Sequence, residues 1–266
     1  MKLGVAGLGA IGLAVARAVD EGRIPGITFA AASVRDQAKA RQATKSFRAQ
    51  PELLDLPALA KACDVIVECL PSAHFRAAAE PTIDNGRIFM PLSVGMLINH
   101  MDLVDRARET GARIVVPTGA LLGLDAVRAT AEGEIASVKI VTRKPPGGLA
   151  GAPLLVQRGI SVDNLKEPLL VFEGSAREAI AGFPANVNVA VALSLAGIGP
   201  DRTRCEIWAD PGVTRNTHTI LVKSDSSDLT MTIENIPSEN PRTGKITALS
   251  VLAALRRLTA PLVVGS

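Results

Sequence analysis

The chain has 266 residues, a formal net charge of +3, 47% hydrophobic residues and 21% charged residues. These values are typical of a globular protein that buries a sizeable core in one large domain or two smaller ones. The Lys and Arg residues are dispersed along the chain, which argues against nucleic acid as a partner. No apolar run approaches the roughly 20 residues that cross a membrane. We therefore expect a small-molecule partner, and neither a nucleic acid nor a membrane.

The numbers of cysteines and tyrosines exclude further classes of protein and of catalytic mechanism. Cys63, Cys69 and Cys205 form neither a disulfide framework nor a zinc-binding pattern, so we expect reduced thiols and no metal site. Glycines interrupt the first apolar run, so the N-terminus does not read as a signal peptide, and a cytoplasmic location is expected. The chain contains no tyrosine, which excludes any mechanism that requires a tyrosine as general acid.

The first dozen residues, MKLGVAGLGAIG, contain the pattern on which most of the interpretation depends. An apolar run over 3–6 is followed by glycines at the spacing G-x-G-x-x-G, and residues 13–19 continue as a predicted helix. In a strand–turn–helix unit the first glycine allows a tight turn, the second lets a pyrophosphate approach, and the third lets the helix pack on the strand. The helix N-terminus also favours an anion. We therefore predict a dinucleotide site, with an ordinary glycine-rich turn as the alternative; the predicted contacts are Gly7, Gly9, Ala10, Ile11 and Gly12.

The end of the next predicted strand, residues 27–34, bears on the choice between NAD and NADP. NAD-specific sites usually place an acidic residue there to bind the ribose hydroxyls. This chain has Ser33 at that position, followed by Arg35 and Asp36. Since Ser33 and Arg35 suit an additional phosphate, we expect both cofactors to bind, with a preference for NADP. In the alternative, Asp36 reaches the ribose and Arg35 is a solvated surface charge.

Predicted strands and helices alternate through the rest of the first half. The strands cover 64–70, 87–92 and 113–116, and the helices cover 53–62, 75–80 and 102–110. This rhythm indicates βαβ units and a doubly wound parallel sheet. We predict an N-terminal Rossmann-type domain over residues 1–118.

The pattern changes after about Leu124. Extended segments are predicted at 135–142, 169–173, 205–209, 216–223 and 229–236, and helices at 176–181, 187–195 and 243–258. The last three strands are expected to be antiparallel, with one face exposed to water. We therefore predict an α/β protein in which an α+β substrate and dimerisation domain, 119–242, follows the Rossmann-type domain. The C-terminal segment, 243–266, is expected to pack back on the Rossmann-type domain.

Three histidines are the candidates for a proton acceptor, because imidazole titrates near neutral pH. His100 precedes a predicted helix, where a surface role is favoured. His74 follows the carboxyl end of a predicted strand, where such sheets bind ligands, but a helix-capping turn explains it equally well. His218 lies in a strand among polar residues, and taken alone a strand histidine is more often structural than catalytic.

Two asparagines stand at the start of the apolar helix over 187–195. Asn186 is explained as a helix cap, whereas Asn188, two residues further on, has no such explanation. A rigid turn over 237–241, rich in proline, is either functional or a tight connection.

Several motifs in succession resemble the L-aspartate dehydrogenase family. They follow the glycine turn in order along most of the chain: PTGA at 117–120, GLDA at 123–126, TRKPP at 142–146, FPANVNVA at 183–190, AGIG at 196–199, ADP at 209–211 with NTH at 216–218, and PSENP at 237–241. Their conjunction is far more specific than the glycine turn by itself.

The resemblance implies oxidative deamination of L-aspartate to iminoaspartate with NAD or NADP, the imine hydrolysing to oxaloacetate and ammonia, and a link to NAD biosynthesis. It also implies a homodimer formed through the sheet of the second domain. The family's catalytic histidine matches His218, and its cofactor-contacting positions match Ala120 and Asn188. The residues that bind the substrate carboxylates are not implied; Arg143, Lys144 and Arg215 are candidates by charge alone.

Two segments depart from the family pattern and leave other substrates open. Leu122 stands where the family often has glycine, and the sequence ECLPS at 68–72 differs from the usual EAAS. One alternative is therefore a dehydrogenase or reductase acting on another small amino or dicarboxylic acid. A second is a dinucleotide-binding sensor without catalysis.

Overall fold

A computed structural model describes residues 1–184, 187–237 and 244–265. The strands are β1 Lys2–Ala6, β2 Thr28–Ser33, β3 Glu52–Leu53, β4 Val65–Glu68, β5 Ile88–Pro91, β6 Arg113–Ile114, β7 Ile135–Lys144, β8 Leu169–Ser175, β9 Thr203–Ala209, β10 Asn216–Ser224 and β11 Asp228–Asn235. The α-helices are α1 Ala10–Asp20, α2 Gln37–Ala43, α3 Leu56–Ala62, α4 Phe75–Asp84, α5 Asp102–Thr110, α6 Leu124–Thr130, α7 Pro153–Arg158, α8 Ala176–Gly182, α9 Asn188–Ala196 and α10 Ile246–Thr259.

The chain divides into two compact units. Unit 1 comprises Met1–Gly119 with Thr247–Val263, and unit 2 comprises Ala120–Ile246 with Val264–Ser266. Across the three described ranges, every helix is too short or too polar to cross a lipid bilayer.

Unit 1 contains a six-stranded parallel sheet in the order β3-β2-β1-β4-β5-β6. This order, with the chain winding outward in both directions from β1, is that of a Rossmann-type sheet. Apart from Lys2 at the start of β1 and Glu68 at the end of β4, these two central strands are apolar, as expected for strands covered on both faces. Helix α10 contributes Val251, Leu252 and Leu255 to the core that also contains Leu3 and Val5 of β1.

Unit 2 contains a five-stranded mixed sheet in the order β11-β10-β7-β9-β8. One face, which we call the inner face, carries the buried side chains of Val138 and Ile140 on β7 and of Ile220 and Val222 on β10. Cross-strand pairs share a face of a sheet, and so do residues two apart on one strand. The inner face is therefore defined from Val138 to Lys144 on β7 and from Asn216 to Val222 on β10.

The doubly wound parallel sheet and the second α+β unit that the sequence predicts are both present. Two local predictions were wrong. Strand β9 pairs parallel with β7 and antiparallel with β8, not with β10, because pairing between strands distant in sequence is not specified by either strand alone. Leu53 lies in β3 rather than in a helix, and α3 begins only at Leu56, where the Asp55 side chain accepts the Ala58 N–H at 2.8 Å. Asn186 and most of the turn over 237–241 lie outside the described residues.

Candidate cofactor and catalytic sites

The glycine turn of unit 1 has the geometry of a dinucleotide site. Gly7 has a φ of +96°, and a Cβ there would lie 2.7 Å from the Cys69 carbonyl oxygen. A Cβ on Gly12 would lie 2.0 Å from the Gly7 carbonyl oxygen, so only glycine permits this contact between helix and turn. A Cβ on Gly9, by contrast, would meet no atom within 4 Å.

The open side of Gly9 coincides with the start of α1. Gly9 is the N-cap of this helix and provides no side-chain cap, while Ala10 and Ile11 begin the first turn. Backbone N–H groups at such a terminus bind phosphate well. The residues present therefore fit a dinucleotide pyrophosphate.

The end of β2 lies beside this turn, since the Gly7 N–H donates to the Ser33 carbonyl oxygen at 2.9 Å. Ser33 is half-buried and Arg35 is exposed. The Asp36 side chain caps α2 by accepting the Lys39 N–H at 2.9 Å. Asp36 is thereby held at the helix start, which weakens the alternative in which it serves the ribose.

A buried carboxylate at the same edge of the six-stranded sheet had no assigned role in the sequence analysis. Glu68 ends β4 and is fully buried; it accepts hydrogen bonds from the Leu70 N–H at 2.7 Å, the Ser93 N–H at 3.0 Å and the Ser93 hydroxyl at 3.2 Å. Burial raises the pKa of its carboxyl group, against these donors. Glu68 thus fastens together the segments that follow β4 and β5. In the sequence, Glu68 is the one acidic residue of an otherwise apolar strand, and this pattern could have identified it as a buried carboxylate.

The inner face of the five-stranded sheet changes from apolar to polar toward one end. This polar end consists of Thr142 and Lys144 on β7, Asn216 and His218 on β10, and Asn235 on β11, which share the inner face by pairing and alternation. It lies where β7, β9 and β11 end and where β10 begins.

His218 is the most deeply placed base of this polar end, with 3% of its surface exposed. Its Nδ1 lies 3.0 Å from the Thr142 hydroxyl oxygen. Burial, together with the positive charge of Lys144, lowers the pKa of His218 to about 3. The imidazole is therefore neutral at physiological pH, the form that accepts protons.

Lys144 is the last residue of β7 and is also buried, with 5% exposed. Burial lowers the pKa of its ammonium group to about 8, so the side chain is mostly protonated at pH 7. Lys144 lies two residues beyond Thr142 on β7, so its side chain leaves the same face of the sheet as His218.

Ala120 and Asn188 both lie in unit 2. The Ala120 carbonyl oxygen accepts a hydrogen bond from Asn235 Nδ2 at 3.0 Å, which links the end of β11 to the loop before α6. Gly123 shapes this loop: it has a φ of +65°, and a Cβ there would lie 2.1 Å from Met231 Sδ. Asn188 is half-buried and begins α9.

The other two histidines have surroundings unlike those of His218. His74 is exposed at the start of α4. His100 is half-buried, stacks on Phe75 with ring centroids 5.7 Å apart, and lies 3.4 Å from an Arg76 nitrogen. These contacts indicate a structural role for His100. Within the described ranges, no group of three or more His, Cys, Asp or Glu side chains is placed to hold a metal ion.

The low pKa of His218 makes the stability of the fold depend on pH. An unfolded chain binds the imidazole proton below about pH 6.5, whereas the folded chain binds it only near pH 3. The free energy of unfolding should therefore fall as the pH drops from 6.5 toward 3, by up to about 1.4 kcal/mol per pH unit from this group. Urea denaturation from pH 7 to 4 measures the slope, and a His218→Asn variant should reduce it. Equal slopes in the two proteins would contradict the assignment. Lys144 titrates above this window and does not contribute to it.

Comparisons with known proteins agree with this arrangement. A family model described as "Homoserine dehydrogenase, NAD binding domain" matches residues 7–117, and one described as "Aspartate dehydrogenase, C-terminal" matches residues 125–258. An L-aspartate dehydrogenase of Bradyrhizobium diazoefficiens is 55% identical over 266 residues, which cover 100% of this chain and 94% of the relative. The L-aspartate dehydrogenase 3 of Bordetella bronchiseptica is 53% identical over 266 residues, and the match covers 100% of this chain and 98% of the relative.

Among solved structures, an aspartate dehydrogenase from Thermotoga maritima superposes with a TM-score of 0.76. The match covers 100% of this chain and 99% of that one at 24% identity, so it bears on the fold alone. The full-length identity to the two bacterial relatives establishes more than the fold. The chain belongs to the L-aspartate dehydrogenase family.

Proposed function

We propose that the protein catalyses the NAD(P)-dependent oxidative deamination of L-aspartate to iminoaspartate, which hydrolyses to oxaloacetate and ammonia. The observation that carries this proposal is the buried, neutral His218 at the polar end of the five-stranded sheet, in a chain 55% identical over its full length to an L-aspartate dehydrogenase. The reaction is reversible and would supply or consume a precursor of NAD biosynthesis.

His218 serves as the base in this proposal. A neutral imidazole has one nitrogen that donates and one that accepts. If Nδ1–H donates to the Thr142 hydroxyl oxygen, across the observed 3.0 Å, Nε2 holds the free electron pair. Nε2 then accepts a proton from the substrate ammonium group before the Cα–H bond breaks, or from the water that attacks the imine.

The residues of unit 1 suit the binding of the cofactor. The glycine turn and the α1 N-terminus would hold its pyrophosphate, and Ser33 with Arg35 would receive the adenosine ribose or its phosphate; Ala120 and Asn188 are proposed as further contacts. Bound NAD(P)⁺ supplies the acceptor for the hydride that leaves the substrate Cα. Unit 1 is accordingly proposed as the dinucleotide domain, with the domain boundary near residue 118.

Unit 2 is proposed as the substrate and dimerisation domain of a cytoplasmic homodimer. The outer face of its sheet carries the half-buried side chains of Val141, Trp208 and Leu221. Between them, the Arg143 guanidinium lies 4.9 Å from the centre of the Trp208 ring. A face with apolar groups framed by polar ones suits association with a second copy.

Cofactor preference gives a prediction for Arg35. Replacing it with alanine should raise the KM for NADP about tenfold, which corresponds to the loss of roughly one charge-assisted contact to phosphate. The KM for NAD should change by less than about twofold. Steady-state kinetics with each cofactor measure this, with Arg41→Ala, an exposed position of α2, as the control. A loss shared equally by NAD and NADP would contradict the assignment.

The proposed function is tested by following reduced-nicotinamide absorbance with L-aspartate and a panel of amino and hydroxy acids, using NAD and NADP separately. We expect aspartate to have the highest kcat/KM of the panel. Absence of aspartate turnover with both cofactors would refute the assignment, and turnover of another acid alone would transfer it to that substrate.

A further inference from the structure

The parallel sheet of unit 1 carries a buried carboxyl group at the edge where a dinucleotide is proposed to bind. Glu68 is the last residue of β4 and is fully buried. It pairs with Ala6, the last residue of β1, on one side and with Pro91 of β5 on the other. Glu68 therefore lies between the glycine turn that follows β1 and the half of the sheet that contains β5.

The side chain of Glu68 connects the two segments that continue beyond this edge, the β4 loop (residues 69–71) and the β5 loop (residues 92–93). Its Oε1 accepts the Leu70 N–H at 2.7 Å, and its Oε2 accepts the Ser93 N–H at 3.0 Å. The Ser93 hydroxyl lies 3.2 Å from Glu68 Oε1 and 3.3 Å from the Leu70 carbonyl oxygen. Each carboxyl oxygen thus holds one backbone N–H, and each N–H belongs to a different loop.

The β4 loop also contacts the glycine turn. The Cys69 N–H donates to the Ala6 carbonyl oxygen at 2.8 Å, and a Cβ on Gly7 would lie 2.7 Å from the Cys69 carbonyl oxygen. The same turn is open to solvent at Gly9, where a Cβ would meet no atom within 4 Å. A dinucleotide crosses the carboxyl edge of such a sheet where the strand order reverses, with one mononucleotide on each half. Since its adenosine half is proposed beside the end of β2, its nicotinamide half belongs at the ends of β4 and β5.

We propose that Glu68 is a positioning residue for the nicotinamide half of the cofactor. By holding the N–H groups of Leu70 and Ser93, it fixes the β4 loop relative to the β5 loop, and the two loops together form the surface against which the nicotinamide lies. The adenosine half depends on the glycine turn and on β2, and not on Glu68. This inference rests on the dinucleotide site of the proposed function.

Glu68→Gln tests the proposal with a minimal change of shape. An amide has one carbonyl oxygen and one NH2 group, so in either orientation its NH2 group faces a backbone N–H and one loop is released. We expect the Kd for NADPH to rise about tenfold. The Kd for 2′-phospho-ADP-ribose, which lacks the nicotinamide, should stay within about twofold. Because catalysis is sensitive to displacements of about 1 Å, kcat for aspartate should fall about 10- to 100-fold. Isothermal titration calorimetry with the two ligands gives the ratio of the Kd values, which a general loss of stability would not change.

Thr82→Val is the matched control. The Thr82 hydroxyl is also buried in unit 1, but it donates to the Ala78 carbonyl oxygen at 2.7 Å within the last turns of α4, away from the carboxyl edge. This variant should lower the Tm and leave both Kd values unchanged. If thermal denaturation shows that Glu68→Gln does not fold, Ser93→Ala takes its place. It removes only the hydroxyl between Glu68 and Leu70, and should raise the Kd for NADPH alone by about threefold, as for one neutral hydrogen bond.

In a folded variant, equal changes in the Kd values for NADPH and 2′-phospho-ADP-ribose would overturn the proposal, and so would no change in either. Both results would show that Glu68 supports the fold without placing the nicotinamide half. A wild-type protein that binds NADPH but does not turn over aspartate refutes the proposed reaction instead. The ratio of the two Kd values still tests Glu68 in that case, so the two failures are distinguishable.

Discussion

Replacing His218 with alanine should lower kcat for aspartate by about 100- to 10,000-fold, the range typical of losing a general base. We expect this loss because the imidazole is neutral and buried, and because its orientation is fixed by the Thr142 hydroxyl oxygen, which lies 3.0 Å from Nδ1. Alanine offers no group that accepts the substrate's proton. Because His218 is not among the residues proposed to contact the cofactor, the affinity for NADPH should change little.

The measurement combines steady-state kinetics, which give kcat, with a fluorescence titration of NADPH, which gives the affinity for the cofactor. His100→Ala is the matched control, because His100 is a half-buried histidine that stacks on Phe75 in unit 1; it should retain activity within about twofold. A His218→Ala enzyme with kcat within tenfold of wild type would show that the base lies elsewhere. Unchanged cofactor binding with lost turnover also distinguishes an enzyme from a dinucleotide sensor.

Replacing either of two glycines of the same turn with alanine should impair cofactor binding, but only one of the two replacements should lower the stability of the fold. A methyl group on Gly12 would lie 2.0 Å from the Gly7 carbonyl oxygen, and backbone must move to relieve this contact. We expect Gly12→Ala to lower the free energy of unfolding by about 3 kcal/mol and the Tm by roughly 10 °C, with loss of cofactor binding.

Gly9→Ala should leave the Tm nearly unchanged, because a methyl group there meets no atom within 4 Å and the φ of −73° suits alanine. The same methyl group would occupy the space proposed for the pyrophosphate, so the Kd for NADP should rise about tenfold or more. Differential scanning calorimetry and NADPH titration give the two quantities. Equal effects of Gly9→Ala and Gly12→Ala on the Tm, or unaltered NADP binding by Gly9→Ala, would contradict the proposed cofactor position.

The Rossmann-type sheet was predictable because its signals are local. Each of the central strands is an apolar run bounded by a helix or a turn, and the spacing of Gly7, Gly9 and Gly12 reflects contacts within one short unit. The parallel pairing of β9 with β7 was not predictable in this way. It joins residues that are 65 positions apart in the chain, such as Val138 and Thr203, and neither segment specifies its partner.

The candidate site was predictable only in part. His218 was identified through a family resemblance, while its strand position alone favoured a structural role. Lys144 and Arg143 are adjacent and equally charged, so composition could not separate them. The two residues are distinguished by the alternation of side chains along β7, which places Lys144 on the same face of the sheet as the buried Val138 and Ile140. Glu68 was visible as a charge in an apolar strand, but its hydrogen bonds to Leu70 and Ser93 depend on the fold.

The most direct test of the account uses L-aspartate labelled with deuterium at Cα, incubated with the enzyme and NADP⁺. Mass spectrometry of the cofactor and assays of oxaloacetate and ammonia follow the products. The account predicts one deuterium in each reduced nicotinamide, together with one oxaloacetate and one ammonia. Reduced cofactor without deuterium, or no reduction of NADP⁺ or NAD⁺ in the presence of aspartate, would contradict it.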